Sequence, residues 1–163
     1  MWTVSVYLHN ASEKFSFSGM SRRKSSACPI CFSLDAFGDR WMMLILRDLL
    51  IRRKRYFQDF LNSDEGIATN ILADRLKKLQ EAGLVAKKDN PENKKQAIYA
   101  PTVKAVALLP ILGEMVRWGS KFGPPIKDPF LRKVVTDPES ARKELQDVYR
   151  EEFKQLQAMT QKA

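Results

Sequence analysis

The spacing of the apolar residues changes at Gly83, and this change constrains the fold more than any other feature of the sequence. Before Gly83, leucines recur every three or four residues, which predicts a helix over about 68–82. After it, two short apolar runs at 84–88 and 96–99 suit β-strands, and the turn-forming, basic segment 89–95 separates them. The sequence therefore predicts a helix that stops at a glycine and is followed directly by a β-hairpin.

Further helices are predicted upstream of this unit. A short one at 56–61 is joined to the helix at 68–82 by a turn that contains Gly66, which is the arrangement of a helix-turn-helix. Another spans about 40–50 behind the N-cap Asp39, and apolar residues cover most of its circumference, so we expect it at the centre of the core. The predicted fold class is mainly α with a small β-hairpin (α+β): a winged helix-turn-helix whose wing is the hairpin.

Helices are also predicted on both sides of the motif. Cys28 stands ahead of a proline, which indicates the start of a helix over 28–37. Behind the wing, Thr102 would cap a helix that ends near Trp118 and is kinked by Pro110. We expect Trp118 to belong to the core.

These elements divide the chain into four parts. A flexible N-terminal extension over 1–27, in which Met20 is an alternative start, precedes the winged helix-turn-helix domain at 28–122. A linker rich in Gly and Pro at 123–136 leads to a C-terminal helix at 137–160 with one apolar stripe. We expect that helix to pack on its own domain or on a second copy of the chain.

The charge of the chain indicates the class of its partner. Lys and Arg outnumber Asp and Glu by 28 to 19, which gives a formal net charge of +9. Such an excess points to a polyanion, with nucleic acid as the first candidate and an anionic lipid surface as the second. A basic protein that is merely soluble is the alternative.

Several classes of chemistry lack the residues that they need. His9 is the single histidine, so we expect neither a Ser-His-Asp centre nor a His-rich metal site. Neither the G-x-G-x-x-G nor the G-x-x-x-x-G-K-[ST] phosphate-binding pattern occurs. No apolar stretch is long enough to cross a bilayer and no signal peptide is recognisable, so we expect a cytoplasmic, nucleoid-associated protein. We predict no enzymatic activity, no cofactor and no metal.

Four stretches, in the order of the chain, resemble one known family. They are CPICFSLDAFGDRWMMLILRDLL, RYFQDF, GIATNILADRLKKLQEAGLV and IYAPT. The chain resembles the HxlR family of bacterial winged-helix transcription regulators, akin to the MarR type, over about residues 28–119. The resemblance implies a homodimeric repressor that binds an inverted-repeat operator, with a dimer interface built from 28–37 and 102–118. Members of the family often have Ser followed by Pro where this chain has Ala68 and Thr69, which weakens the helix cap.

The helix at 68–82 would be the recognition helix. Only its first two turns would enter the major groove, where Thr69, Asn70, Ala73 and Asp74 are the candidates for reading bases. An Asn amide can pair with adenine, a carboxylate with N4 of cytosine, and a methyl group with thymine. The alternative is a solvated helix face that contacts no base.

A second set of residues is predicted to contact the DNA backbone. It combines the basic run after the helix at 40–50 with the lysines of the recognition helix and of the wing. Such contacts position a protein on DNA but carry little sequence information, and a solvated charge run is the alternative. The candidates are Arg52, Arg53, Lys54, Arg55, Tyr56, Lys77, Lys78, Lys87, Lys88, Lys94 and Lys95.

Cys28 and Cys31 form a C-x-x-C pair at the start of the first predicted helix, where the helix dipole lowers the pKa of a thiol. Family members that sense oxidants use a cysteine matching Cys28, so the resemblance makes Cys28 a candidate redox or electrophile sensor. Cys31, which the family does not generally supply, would be its resolving partner. The alternatives are two small buried packing residues near the dimer interface, a thioredoxin-like centre, or a metal site that pools four cysteines across a dimer.

Together these features predict a homodimeric, sequence-specific DNA-binding transcription regulator. Its partners would be a double-stranded operator, a second copy of the chain and a small-molecule or oxidant effector. A winged-helix module for protein contacts is the main alternative, and a thiol oxidoreductase is a more distant one.

Overall fold

The computed structural model describes residues 27–90, 93 and 95–160, with 152–160 as helix backbone. The predicted extension at 1–27, with His9 and Met20, therefore lies outside the described residues except for its last residue. Lys94, at the tip of the wing, also lies outside them. The elements are α1 (Pro29–Phe37), α2 (Arg40–Leu50), α3 (Phe57–Leu61), α4 (Thr69–Glu81), β1 (Val85–Asp89), β2 (Ala97–Pro101), α5 (Val103–Val106), α6 (Leu109–Phe122), α7 (Pro129–Thr136) and α8 (Pro138–Thr160).

The helix α2 lies at the centre of the core, as the sequence predicts. Asp39 caps it by accepting hydrogen bonds from the backbone N–H groups of Trp41 (3.0 Å) and Met42 (3.2 Å). Leu46 and Leu49 on α2 are fully buried. The leucines on the inner face of α4 pack into the same core, so α4 lies against α2 with its opposite face outward.

The helix α4 ends where the period of the sequence changes. Gly83 adopts a left-handed conformation with φ of +68°, and the N–H of Leu84 donates to the carbonyl of Leu79 to close the helix. The chain then forms the antiparallel pair β1–β2, in which Lys87 lies opposite Tyr99. Tyr99 packs edge-on against Phe60 of α3 at 6.2 Å between ring centroids. This contact attaches the hairpin to the helices and completes a winged helix-turn-helix, so the predicted fold class is confirmed.

The single kinked helix predicted over 102–118 is wrong. Thr102 does cap a helix, since its Oγ1 accepts from the N–H of Ala105 (3.2 Å), but this helix, α5, ends at Val106. Pro110 then stands in the first turn of a separate helix, α6. Proline has no N–H to donate and its ring clashes with the carbonyl four residues earlier, so the first turn suits it better than a helix interior.

The linker predicted over 123–136 is wrong for its second half, which forms α7. Asp128 caps α7 by accepting from the N–H groups of Phe130 (2.8 Å) and Leu131 (3.1 Å), and a proline occupies its first turn. The helix α8 covers the range of the predicted C-terminal helix, and Tyr149 on it is buried. The Tyr149 hydroxyl donates to the carbonyl of Leu50 (2.5 Å), which ties α8 to the end of α2.

Candidate nucleic-acid interface

The N-terminal turns of α4 present a polar face to solvent. Thr69, Asn70 and Ala73 are exposed, and Asp74 is partly exposed. Ala68 is the N-cap residue and supplies no side-chain cap, and Thr69 lies inside the first turn of the helix. The four candidates for base reading thus stand together on the outer side of α4.

Asp74 is held by two cations within its own helix. Its carboxylate pairs with Lys78 (3.0 Å) and with Arg75, and the hydrogen bond from Lys78, followed by that from Arg75, holds the pKa of Asp74 below its usual range. Lys77 is the more exposed of the two helix lysines, at 76% against 51% for Lys78. Asp74 therefore reaches the surface as a charged and oriented acceptor.

The wing carries lysines that differ in their exposure. Lys87 and Lys95 are exposed, whereas Lys88 is half-buried because side chains alternate between the two faces of a strand. The N–H of Lys95 donates to the Asn93 side chain (3.2 Å). Tyr56 is half-buried, and its backbone pairs with β2, so it joins α3 to the wing.

The basic run after α2 is largely used inside the domain. Lys54 donates to the buried Asp48 (2.8 Å) and to Ser63 (2.7 Å). Asp48 is only 1% exposed and also accepts from Arg47 (2.6 Å) and from the Ser63 hydroxyl (2.5 Å). This buried cluster argues against the predicted phosphate contact for Lys54, because its ammonium group is already occupied by the carboxylate.

The arginines of the run differ from one another. Arg55 donates to the carbonyl of Leu49 (2.9 Å), which argues against a phosphate contact for it as well. Arg52 is 25% exposed and lies 3.8 Å from Asp128. Arg53 has a left-handed backbone (φ +56°) and is 44% exposed, with Glu144 at 4.0 Å. The exposed cations near α4 are thus found mainly on α4 itself and on the wing.

Two ion pairs that the sequence does not predict connect the elements around α4. Arg75 binds Asp39 with two nitrogens, at 3.0 and 3.2 Å. Arg47 binds Glu65 with two nitrogens, at 2.5 and 3.0 Å, and this lowers the pKa of Glu65 to about 2. Each pair joins residues far apart in the chain, so the periodicity of the sequence cannot reveal it.

Cys28 and Cys31 are both free thiols at the start of α1. The backbone N–H of Cys31, and next that of Ile30, lower the pKa of Cys28. Within this single chain, Cys31 is exposed and Cys28 is half-buried. Among the residues that the structure describes, no three His, Cys, Asp or Glu side chains lie together as metal ligands would.

One apolar face of the molecule is uncovered. On α6, four large side chains separated by four, three and four residues lie along one side of the helix. Trp118 is 68% exposed, so the expectation that it lies in the core is wrong. Apolar side chains of α1 are exposed as well, with Ile30 at 70% and Leu34 at 60%. The exposed residues of α6 are Ile111, Met115, Trp118 and Phe122.

In the described part of the chain, no helix is both long enough and apolar enough to span a membrane.

Comparison with known proteins agrees with this geometry. An uncharacterised HTH-type transcriptional regulator of Halalkalibacterium halodurans is 33% identical over 93 residues, which are 57% of this chain and 82% of that protein. The HTH-type transcriptional regulator YodB of Bacillus subtilis is 34% identical over 104 residues, which are 62% of this chain and 90% of YodB.

Solved structures show the same fold. The redox regulator HypR in its oxidised form aligns with a TM-score of 0.54 and 26% identity, covering 60% of this chain and 99% of HypR. Its reduced form gives a TM-score of 0.52 and 25% identity, covering 58% and 92%. The HxlR-like helix-turn-helix family matches residues 36–127, which is more than half of the chain. The resemblance in the sequence is therefore confirmed: this chain belongs to the HxlR family of helix-turn-helix transcription regulators.

Proposed function

We propose that two copies of this chain form a homodimeric repressor that binds an inverted-repeat DNA operator. The exposed polar face at the start of α4, which leads directly into a lysine-bearing wing, carries this proposal. A helix with small polar side chains in its first turns can enter the major groove, and lysines beside it can neutralise phosphates. Bound over a promoter, such a dimer would block access of the polymerase.

Each candidate on α4 has a chemical role in this proposal. Asn70 would pair with an adenine edge and the Asp74 carboxylate with N4 of cytosine, while the methyl groups of Thr69 and Ala73 would contact thymine. The lysines proposed to contact phosphate are Lys77, Lys78, Lys87, Lys88 and Lys95. Lys54 and Arg55 are left out because Lys54 pairs with the buried Asp48 and the Arg55 guanidinium group donates to the backbone carbonyl of Leu49.

The uncovered apolar faces of α6 and α1 support a second copy of the chain as the dimer partner. Four large side chains along one side of α6 form a patch of the kind that soluble monomers rarely leave open to water. A two-fold interface on this patch is self-complementary, and it would hold two α4 helices in the symmetric arrangement that an inverted repeat requires.

We also propose that Cys28 responds to oxidants or electrophiles. A thiol with a lowered pKa carries more of the reactive thiolate at neutral pH. Cys28 stands at the start of α1, which belongs to the proposed dimer interface, so a change at the thiol could alter how the two subunits pack. HypR, to which the chain is similar, is described as a redox regulator. The role needs no catalytic step and no cofactor, and it would be performed in the cytoplasm, where the chromosome lies.

A binding assay tests the central proposal. The full-length protein is incubated with a pool of random duplexes, and the enriched duplex is titrated against a scrambled one of the same composition. We expect the enriched duplex to bind at least about a thousandfold more tightly, the lower end for specific regulators. Asn70→Ala should reduce this ratio, whereas Asn62→Ala, which changes an exposed amide in the turn after α3, should leave it unchanged.

The same experiment separates the alternative function. A winged-helix module that binds proteins would enrich no sequence and would bind both duplexes weakly. It would also tolerate Asn70→Ala. Diamide treatment tests the redox role: the affinity of the wild type should change and that of Cys28→Ser should not, and equal affinities with and without diamide in both would refute it.

A further inference from the structure

Arg75 links the DNA-facing side of α4 to the start of α2. Its Nε lies 3.0 Å from Oδ1 of Asp39 and its Nη2 lies 3.2 Å from Oδ2, so the guanidinium group and the carboxylate meet in a two-point contact. The remaining terminal nitrogen, Nη1, donates to the Asp74 carboxylate. One planar side chain therefore touches both a residue of the proposed reading face and a residue 36 positions earlier in the chain.

Asp39 is itself fixed in place. Its Oδ1 accepts from the N–H groups of Trp41 (3.0 Å) and Met42 (3.2 Å), which anchors the carboxylate to the first turn of α2. A two-point contact between arginine and carboxylate has a narrow geometry. It therefore fixes the rotation of α4 about its axis relative to α2, as well as the direction of the Asp74 carboxylate.

The pair is not buried deeply enough to be explained by stability alone. The side chains of Arg75 and Asp39 are 22% and 34% exposed, and ion pairs in contact with water contribute little to folding. The contact does, however, orient Arg75, and Arg75 in turn contacts Asp74, which faces the DNA in the proposed function.

We infer that Arg75 and Asp39 are positioning residues for base recognition, and that Asp39, which lies off the reading face, determines how selectively Asp74 reads its base. This inference rests on the proposed function. When the contact with Asp39 is lost, Arg75 is free to turn, and the Asp74 carboxylate keeps only Lys78 at 3.0 Å, a flexible partner with a single ammonium group, so its direction toward cytosine is less fixed. The protein then binds DNA through its lysines as before but discriminates less at one base pair of each half-site.

Asp39→Asn is the main test, because asparagine caps a helix about as well as aspartate and only the charged two-point contact is removed. Asp147→Asn is the matched control, since it also removes one carboxylate charge from an ion pair, with Arg150 at 3.2 Å, within the C-terminal helix α8. The wild type and both variants are used to select duplexes from a random pool. Their affinities for selected and scrambled duplexes are then measured over a range of salt concentrations.

We expect Asp39→Asn to lower the preference at one base pair about five- to a hundredfold, the usual range for one mismatched pair. Its binding to the scrambled duplex and its salt dependence should equal those of the wild type and of Asp147→Asn. Asp74→Asn should lose preference at the same base pair, and the double variant should lose no more. Arg75→Lys, which keeps one point of contact, should lie between Asp39→Asn and the wild type, and it replaces Asp39→Asn if that variant does not fold.

Each outcome bears on the inference. If the wild type selects a sequence and Asp39→Asn selects the same one with equal preference, the inference is wrong while the proposed function stands. If the lost preference lies at a base pair that Asp74→Asn does not affect, the inference is also wrong. If the wild type selects no sequence, the proposed function fails and this inference fails with it.

Discussion

Lys54 and Lys87 offer a direct comparison of a structural lysine with a proposed DNA-binding one. Replacing Lys54 by methionine removes the 2.8 Å ion pair with Asp48, a carboxylate that is 1% exposed. Losing the partner of a buried charge costs about 3–5 kcal/mol, but Arg47 and Ser63 still bond the carboxylate, so we expect about 2 kcal/mol. For a chain of this length this lowers the midpoint of thermal unfolding by about 4–8 °C.

Lys54→Met should leave DNA binding unchanged at temperatures where the variant is folded. Lys87→Met should do the opposite. It should leave the unfolding midpoint unchanged and, as one phosphate contact is lost in each subunit, reduce the slope of log affinity against log salt by about 1.8. Thermal unfolding followed by circular dichroism and a salt series of DNA titrations measure both quantities. If Lys54→Met reduced the slope of log affinity against log salt and left the unfolding midpoint unchanged, the Lys54 ammonium group would contact phosphate. Our interpretation of the buried cluster would then be wrong.

Three further predictions concern the dimer, the C-terminal helix and the response to acid. Trp118→Glu should shift the protein from dimer to monomer in analytical ultracentrifugation, because it puts a charge on the uncovered face of α6; a dimer of undiminished stability would exclude this face as the interface. Tyr149→Phe should destabilise the fold by about 1–3 kcal/mol in urea unfolding, since it leaves the buried carbonyl of Leu50 without this donor, and unchanged stability would contradict the contact. The pKa of Glu65 is lowered from 4.5 to about 2, so the stability that it contributes is complete above pH 4.5 and is lost as the pH falls toward 2. Glu65→Gln should therefore show a weaker loss of stability over this interval, and a curve parallel to that of the wild type would refute the assignment.

The parts of the fold that local pattern determines could be predicted from the sequence. The inner leucines of α4, the left-handed Gly83 and the alternation along β1 depend on neighbours within a few residues, and these elements were found within one or two residues of their observed bounds. The cap at Asp128 is equally local: Asp128-Pro129 has the same pattern as Asp137-Pro138, from which the sequence predicts α8, but the Gly and Pro residues before it favour a linker.

The parts that long-range contacts determine could not be predicted. Lys54 stands in a run of four cations, which locally has the features of a phosphate-binding patch, and only the folded chain shows that Asp48 uses its charge. Trp118 has a large apolar side chain of the kind usually found in a core, but the face of α6 that carries it points away from its own domain. The contact of Arg75 with Asp39 likewise depends on how α4 packs on α2, so no spacing along the sequence could indicate it.

The C-terminal helices α7 and α8 lie entirely beyond the family match at 36–127, and they affect where positive charge is available. Asp128 at the start of α7 lies 3.8 Å from Arg52, and Glu144 on α8 lies 4.0 Å from Arg53. These acidic groups offset two cations next to α2. Within α4, Lys77 is paired with Glu81 and Lys78 with Asp74, whereas no described ion pair involves the wing lysines Lys87 and Lys95. Since an electrostatic field steers DNA toward the surface with the least compensated charge, this arrangement favours an approach in which the wing meets the duplex first.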